Sequence, residues 1–84
     1  MFYVYLLHSE SNPNQIYTGF TTDLRARIRQ HNSGKSAHTR NFAPWQLMAY
    51  VAFSSRVRAE QFEKYLKSGS GRAFAKRHLW DAAP

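Results

Sequence analysis

The sequence predicts an α/β (α+β) domain, in which a three-stranded, mainly antiparallel sheet is flanked by helices. Two apolar runs joined by a short turn cluster are typical of a β-hairpin, and a third apolar run follows later in the chain. The segments after the second and third runs have the periodicity of amphipathic helices. The 84-residue chain is 43% hydrophobic and 15% aromatic, which is enough for one small core. We therefore expect one domain over residues 1–80 and a frayed tail at 81–84.

The predicted hairpin joins residues 2–7 to residues 16–20. The first run is apolar on both faces, which is typical of a central strand that is covered on both sides. The turn cluster between the runs is too short for a crossover connection and favours antiparallel pairing. In the second strand, Gly19 shares a face with Tyr17, which predicts that a backbone or a ligand approaches closely there.

The first predicted helix covers residues 24–32. Thr21 or Thr22 is suited to cap its N-terminus, and Asp23 to occupy the first turn. The Asn-Ser-Gly sequence at 32–34 ends the helix.

Two polar residues of this helix are placed on its apolar stripe. At about 100° per residue, Arg27 and His31 lie about 60° and 20° from Leu24, on the arc that also contains Ile28. The other arginines of the helix point away from this arc. A helix that needs only a solvated basic face has no reason to direct these two side chains inward, which indicates a functional site.

The second half of the chain continues the same pattern. A polar, basic loop over residues 33–43 precedes a third predicted strand over residues 44–53. The serines at 54–55 are suited to cap a second helix of about twelve residues, ending near 68–69. A last, basic helix is expected over residues 71–79.

Glu63 is the acidic residue that the periodicity of the second helix directs inward. It lies on the stripe of Leu66, whereas Glu60 does not. An inward carboxylate is costly to bury without a partner. The partner is either a functional ligand or Arg27 in a structural salt bridge, and the sequence leaves both open.

The charge balance favours a polyanionic partner. Twelve Lys and Arg residues against five Asp and Glu residues give a net charge of +7, which is typical of nucleic-acid-binding domains. The absence of cysteine excludes a disulfide framework and thiolate metal sites, and fits a cytoplasmic protein. We expect no contact with a membrane, because the sequence shows neither a basic leader region nor an apolar segment long enough to span a bilayer. The cations that we expect to contact phosphates are Arg25, Arg29, Lys35, Arg40, Lys67, Arg72, Lys76 and Arg77; His38 and His78 receive no role.

The spacing of the inward polar residues resembles that of the GIY-YIG nucleases. Tyr3-Val4-Tyr5 is followed after eleven residues by Tyr17-Thr18-Gly19, similar to the paired tyrosine motifs of that family. Arg27, His31 and Glu63 stand at the family's spacing, and the likeness extends over nearly the whole chain. It is strongest to the small stand-alone bacterial members of the UvrC-like, YhbQ or UPF0213 group. Tyr3 replaces a glycine and Thr18 an isoleucine of the motifs, at positions that supply no catalytic atoms in the family.

The resemblance implies a metal-dependent endonuclease that hydrolyses phosphodiester bonds in DNA, in repair, recombination or processing. It implies catalytic roles for Tyr5, Tyr17, Arg27, His31 and Glu63, with Glu63 holding one Mg²⁺ or Mn²⁺. Tyr17, helped by Tyr5, deprotonates the attacking water, which requires a pKa below the usual value near 10. Arg27 stabilises the phosphorane, and His31 assists proton transfer or grips the phosphate.

Other functions stay open at this point. The alternative from another class is a non-catalytic nucleic-acid-binding module of the same fold, and an RNA substrate is a third. Larger family members carry zinc-finger or helix-hairpin-helix modules that choose the substrate, and we find none here. A protein partner that supplies substrate specificity is therefore also left open.

Overall fold

The computed structural model describes residues 1–80, so the predicted tail at 81–84 lies outside the described residues. The elements are β1 (Phe2–Ser9), β2 (Ile16–Thr21), α1 (Leu24–Asn32), a 3₁₀ helix (Arg40–Phe42), β3 (Trp45–Phe53), α2 (Arg56–Leu66) and α3 (Gly69–His78). Among these residues, no helix has both the length and the apolar character needed to cross a bilayer.

The three strands form one antiparallel sheet in the order β2-β1-β3, which confirms the predicted fold class and the hairpin. β1 is the central strand, as its two apolar faces predicted. Tyr5 lies opposite Gly19 of β2 and opposite Tyr50 of β3. This register brings the two tyrosine-containing segments of the hairpin side by side.

One face of the sheet is covered by α1. The buried residues Tyr5, Leu7 and Trp45 form the cluster on this face, and Leu24 and Ile28 of α1 pack against it. Because β1 alternates, Val4 and Leu6 point to the opposite face.

The other face is covered by α2 and α3. Val4 and Leu6 of β1 pack there with Ala59 and Leu66 of α2 and with Ala75 of α3. The two helical layers are therefore separated by the sheet, and a residue of α1 can approach one of α2 only around an edge of the sheet.

The N-terminus of α1 differs from the prediction. Asp23 is the N-cap, because its Oδ1 accepts a hydrogen bond from the Ala26 N–H at 3.1 Å. The expected cap at Thr21 or Thr22 is wrong. The Thr21 hydroxyl instead accepts the Asp23 N–H at 3.1 Å, which orients the cap rather than replacing it.

The junction between α2 and α3 also differs from the prediction. α2 ends at Leu66 rather than near residues 68–69, because Ser68 caps α3: its Oγ accepts the Gly71 N–H at 3.2 Å. A Cβ atom at Gly71 would overlap the Tyr65 carbonyl group. A residue without a side chain is therefore needed where the two helices meet.

A buried polar chain connects the sheet, α1 and the loop before β3. His31 is fully buried; its Nε2 lies 2.9 Å from the Tyr5 hydroxyl and its Nδ1 lies 2.8 Å from Thr39 Oγ1. The Thr39 carbonyl accepts the Trp45 indole N–H at 2.8 Å. Burial, and secondarily the charge of Arg27, lowers the pKa of His31, so the folded state favours the neutral ring.

We expect this histidine to make the fold sensitive to acid. The unfolded chain binds a proton at His31 near the ordinary pKa of about 6.5, whereas the folded chain resists it. The stability from the neutral ring is therefore complete above about pH 6.5 and is lost as the pH falls below that value. Thermal unfolding from pH 7.5 to 5.5 should show a falling Tm for the wild type.

The matched comparison is His31→Gln against His38→Gln, since His38 is exposed. His31→Gln should unfold at a lower Tm at pH 7.5 but lose less on acidification. His38→Gln should keep the wild-type profile. Parallel pH profiles for all three proteins would contradict the assignment.

Candidate active site

The hydroxyl of Tyr5 is enclosed by the hairpin and α1. A Cβ atom at Gly19 would overlap this hydroxyl and would come within 2.9 Å of the Tyr17 ring. The close approach that the sequence predicts at Gly19 is therefore made by another side chain of the protein. Gly19 allows Tyr5 to cross the face of β2 and reach His31.

The buried position of Tyr5 determines its protonation state. Burial raises the pKa of Tyr5 to about 12, although the neighbouring Arg27 guanidinium acts in the opposite direction. Tyr5 is fully buried and hydrogen-bonded to His31. It is therefore a neutral phenol at physiological pH, and its help to Tyr17 in deprotonating water stays a prediction.

Tyr17 is the tyrosine of the pair that is not fully enclosed. Its ring centroid lies 4.8 Å from that of His31 and 6.2 Å from that of Tyr5, and its other aromatic neighbour is Trp45 at 6.3 Å. These rings hold Tyr17 in place while leaving part of the side chain exposed. Of the two tyrosines, only Tyr17 is placed to meet a substrate.

Arg27 supplies a positive charge beside both tyrosines. It is half-buried, and its Nη1 donates to Gln30 Oε1 at 2.9 Å. Interaction with the Tyr5 hydroxyl, and more weakly with Tyr17, raises the pKa of Arg27. The guanidinium is thus charged at any physiological pH. Arg25 and Arg29 are exposed, as the helical periodicity predicted.

His31 is placed between the tyrosines and the loop, without access to solvent. Both of its ring nitrogens are engaged, one by Tyr5 and one by Thr39. With both nitrogens hydrogen-bonded and no exposed surface, His31 orients its neighbours in this structure. That it grips a phosphate or assists proton transfer stays a prediction.

Glu63 reaches the site from a different layer. Glu63 belongs to α2, which covers the face of the sheet opposite α1. The Glu63 side chain is 24% exposed and pairs with Lys67, with Oε2 and Nζ 3.0 Å apart, rather than with Arg27. Its charge still raises the pKa of Tyr5, so the carboxylate is within electrostatic reach of the Tyr5 hydroxyl. Glu60 points outward, as predicted.

A groove lies at the β2 edge of the sheet, on the side that α2 and α3 cover. Its volume is about 530 Å³, and it is lined by Tyr17 of β2, Lys67 at the end of α2 and Arg72 of α3. Lys67 is also the ion-pair partner of Glu63. The groove therefore extends from Tyr17 to the lysine that pairs with this carboxylate.

The residues around Glu63 decide whether the site can hold the Mg²⁺ or Mn²⁺ that the resemblance implies. Among residues 1–80, no group of three or more His, Asp or Glu side chains is arranged to bind a metal. Mg²⁺ commonly binds proteins through one or two carboxylates and keeps several waters. The partly exposed carboxylate of Glu63 fits that mode, whereas it would not hold a metal that requires a complete protein cage.

The remaining cations lie on the surface. All the residues expected to contact phosphates are exposed: Arg25, Arg29, Lys35, Arg40, Lys67, Arg72, Lys76 and Arg77. The structure adds two supporting residues that the sequence did not reveal, Thr39 and Trp45, which complete the chain of hydrogen bonds from His31. Thr39 lies in a polar loop without periodicity, so no sequence signal identified it.

Comparison with known proteins identifies the family and the fold of this chain. A family model described as the GIY-YIG catalytic domain matches residues 1–77. The UPF0213 protein BH0048 of Halalkalibacterium halodurans is 44% identical over 71 residues, which cover 83% of this chain and 73% of that protein. A UPF0213 protein of Haloquadratum walsbyi is 40% identical over 67 residues, covering 79% of this chain and 73% of the relative.

A solved structure shares the fold. The solution NMR structure of the UPF0213 protein BH0048 from Bacillus halodurans aligns with a TM-score of 0.55 and 36% identity, over 92% of this chain and 84% of that chain. The matched domain and the relatives together show that this chain belongs to the GIY-YIG domain family, with UPF0213 proteins among its relatives.

Proposed function

We propose that the protein is a metal-dependent endonuclease that hydrolyses phosphodiester bonds in DNA. The observation that carries this proposal is the position of Tyr17, partly exposed beside the permanent charge of Arg27 and on the wall of the groove that leads to Lys67. The family supports a nuclease-type domain. The exposed cations fit a substrate with a phosphate backbone.

The chemistry assigned to the chain begins with the attacking water. Tyr17 is partly exposed, and its hydroxyl is assigned to orient this water and accept its proton. Arg27 opposes the negative charge that develops on the phosphorane oxygens, and its confined position makes this stabilisation stronger than in free solution. Tyr17 of β2 and Arg27 of α1 lie on the same side of the sheet, the side that α1 covers.

Glu63 is assigned to hold one Mg²⁺ or Mn²⁺ together with water. When bound, such an ion supplies Lewis-acid stabilisation of the phosphate and leaving-group oxygens. Because Lys67 pairs with one carboxylate oxygen, binding requires this lysine to give up or share its contact. Metal binding by Glu63 therefore depends on the position of the Lys67 ammonium group.

Tyr5 and His31 are assigned to positioning rather than chemistry. Tyr5 stays neutral, and the ring of His31 packs against Tyr17. Together they fix the side of the Tyr17 ring that faces the protein. Loss of either residue should act on catalysis through the orientation of Tyr17.

The direct test is nicking of a supercoiled plasmid by the purified protein with Mg²⁺ or Mn²⁺, repeated with EDTA and with labelled DNA and RNA oligonucleotides. The proposal expects metal-dependent nicking of DNA that EDTA stops. Binding of nucleic acid with no cleavage under any metal condition would instead favour the non-catalytic module, and cleavage confined to RNA would reassign the substrate.

Arg27→Ala should reduce the rate of cleavage by on the order of 10²-fold or more, because it removes the principal charge stabiliser of the transition state. DNA affinity should stay nearly unchanged, since many phosphate contacts remain. The contrasting variant is Arg29→Ala on the outward face of α1, which should weaken binding while retaining the rate at saturating DNA. Normal cleavage by Arg27→Ala would show that the assignment is wrong.

Glu63→Gln should eliminate Mg²⁺-dependent nicking while leaving Tm near the wild-type value. The amide keeps the shape of the side chain but weakens metal binding. Tm should change little because the wild-type ion pair between Glu63 and Lys67 is partly exposed and contributes little stability. Glu60→Gln is the matched control, because Glu60 forms an exposed pair with Arg56 at 3.7 Å on the same helix. A large fall in Tm with retained nicking would indicate a structural role for Glu63.

A further inference from the structure

The groove beside β2 has the volume of a ligand site. Its volume of about 530 Å³ lies within the range of small-molecule pockets, roughly 300–1,000 Å³. One wall is formed by β2 and the turn before it, including Gln15 and Tyr17, and the other by Lys67 and Arg72. Trp80 lines the groove as well.

The lining combines cations with an aromatic residue. Lys67 and Arg72 are exposed and can neutralise phosphates, whereas Trp80 is partly buried and can offer its ring to a base. Tyr17 also lines the groove, but its ring packs against His31 and Trp45 on the face that α1 covers. Sites for unpaired nucleic acid have this composition, because phosphates pair with cations while bases stack on rings. A base within a continuous duplex is stacked on its neighbours and offers only its edges, so it cannot lie against such a ring.

Trp80 carries a second observation. Its indole N–H is buried and has no hydrogen-bond partner within residues 1–80. A buried donor without an acceptor costs free energy. A base carbonyl or a phosphate oxygen bound in the groove would satisfy this donor only if the indole turned to expose its N–H.

We propose that this groove binds one unpaired nucleotide of the substrate strand, next to the phosphodiester that is cleaved. Lys67 and Arg72 contact its phosphates, and Trp80 contacts its base. This inference rests on the proposed function, since Tyr17 is both a wall of the groove and the residue assigned to the attacking water. It implies that cleavage occurs beside unpaired nucleotides rather than within continuous duplex.

Binding is measured in EDTA, so that no strand is cut. The probes are a fluorescein-labelled 12-nucleotide DNA of mixed sequence, the same strand annealed to its full complement as a blunt duplex, and the matching single-stranded RNA. Arg72→Gln and Trp80→Ala should each weaken binding of the single strand by about tenfold, and should change duplex binding by less than threefold. Arg72 is exposed, so Arg72→Gln tests the groove even where Trp80→Ala lowers stability.

Arg58→Gln is the charge-matched control, because Arg58 is an exposed arginine of α2 that does not line the groove. It should affect single-strand and duplex binding equally. The inference is overturned if Arg72→Gln behaves like Arg58→Gln, or if both groove variants weaken the two probes to the same extent.

Tryptophan fluorescence provides a second reading. The chain has two tryptophans, and Trp45 is only 4% exposed within the core. The unpaired strand should quench the wild-type emission but not that of Trp80→Phe, in which the buried Trp45 remains. Quenching that survives in Trp80→Phe would contradict the proposal. Relative affinities for the DNA and RNA strands then identify which nucleic acid supplies the nucleotide.

Failure of this inference and failure of the nuclease proposal are distinguishable. A protein that nicks DNA but shows no selective effect of Arg72→Gln would refute the groove and leave the nuclease standing. A protein with selective binding in EDTA but no cleavage with any metal would support the groove and refute the nuclease.

Discussion

The enclosed hydroxyl of Tyr5 is the interaction on which the rest of the site depends. It crosses β2 above Gly19, where any side chain would block it, and it ends within hydrogen-bonding distance of His31. His31 in turn engages Thr39, which ties the loop before β3 to the sheet. Removing one partner of a buried hydrogen bond leaves the other unsatisfied, at a cost of about 1–3 kcal/mol. The same contacts that stabilise the core therefore also hold the Tyr17 ring, which packs against His31.

The two tyrosines of the hairpin serve different purposes because they differ in burial. Tyr5 is fully enclosed and kept neutral by a raised pKa, so it is suited to structure. Tyr17 sits on the edge strand β2, and its ring lies on the face that α1 covers. Arg27 approaches from this layer, whereas the Glu63–Lys67 pair and the groove belong to the layer of α2 and α3. Under the proposed function, a phosphate meets groups of both layers at this edge of the sheet.

The sequence predicted the fold and the position of most side chains, because periodicity reports which face a residue occupies. The alternation of β1 and the helical arc of Arg27 and His31 were read correctly from local patterns. The sequence could not show that Glu63 belongs to the layer opposite α1, since periodicity gives a face of a helix but not the side of the sheet on which it packs. Nor could the sequence show that Nδ1 of His31 is hydrogen-bonded to Thr39, because that contact depends on the conformation of an irregular loop.

The central claim is that Tyr17 performs chemistry while Tyr5 only positions it. It is tested most directly by single-turnover nicking with Tyr17→Phe and Tyr5→Phe, each lacking one hydroxyl, alongside thermal unfolding of both. The account predicts a loss of roughly 10²-fold or more in rate for Tyr17→Phe at unchanged Tm. It predicts a lower Tm for Tyr5→Phe, with cleavage retained within about tenfold at temperatures where the variant is folded. Wild-type cleavage by Tyr17→Phe, together with complete loss in a fully folded Tyr5→Phe, would contradict it.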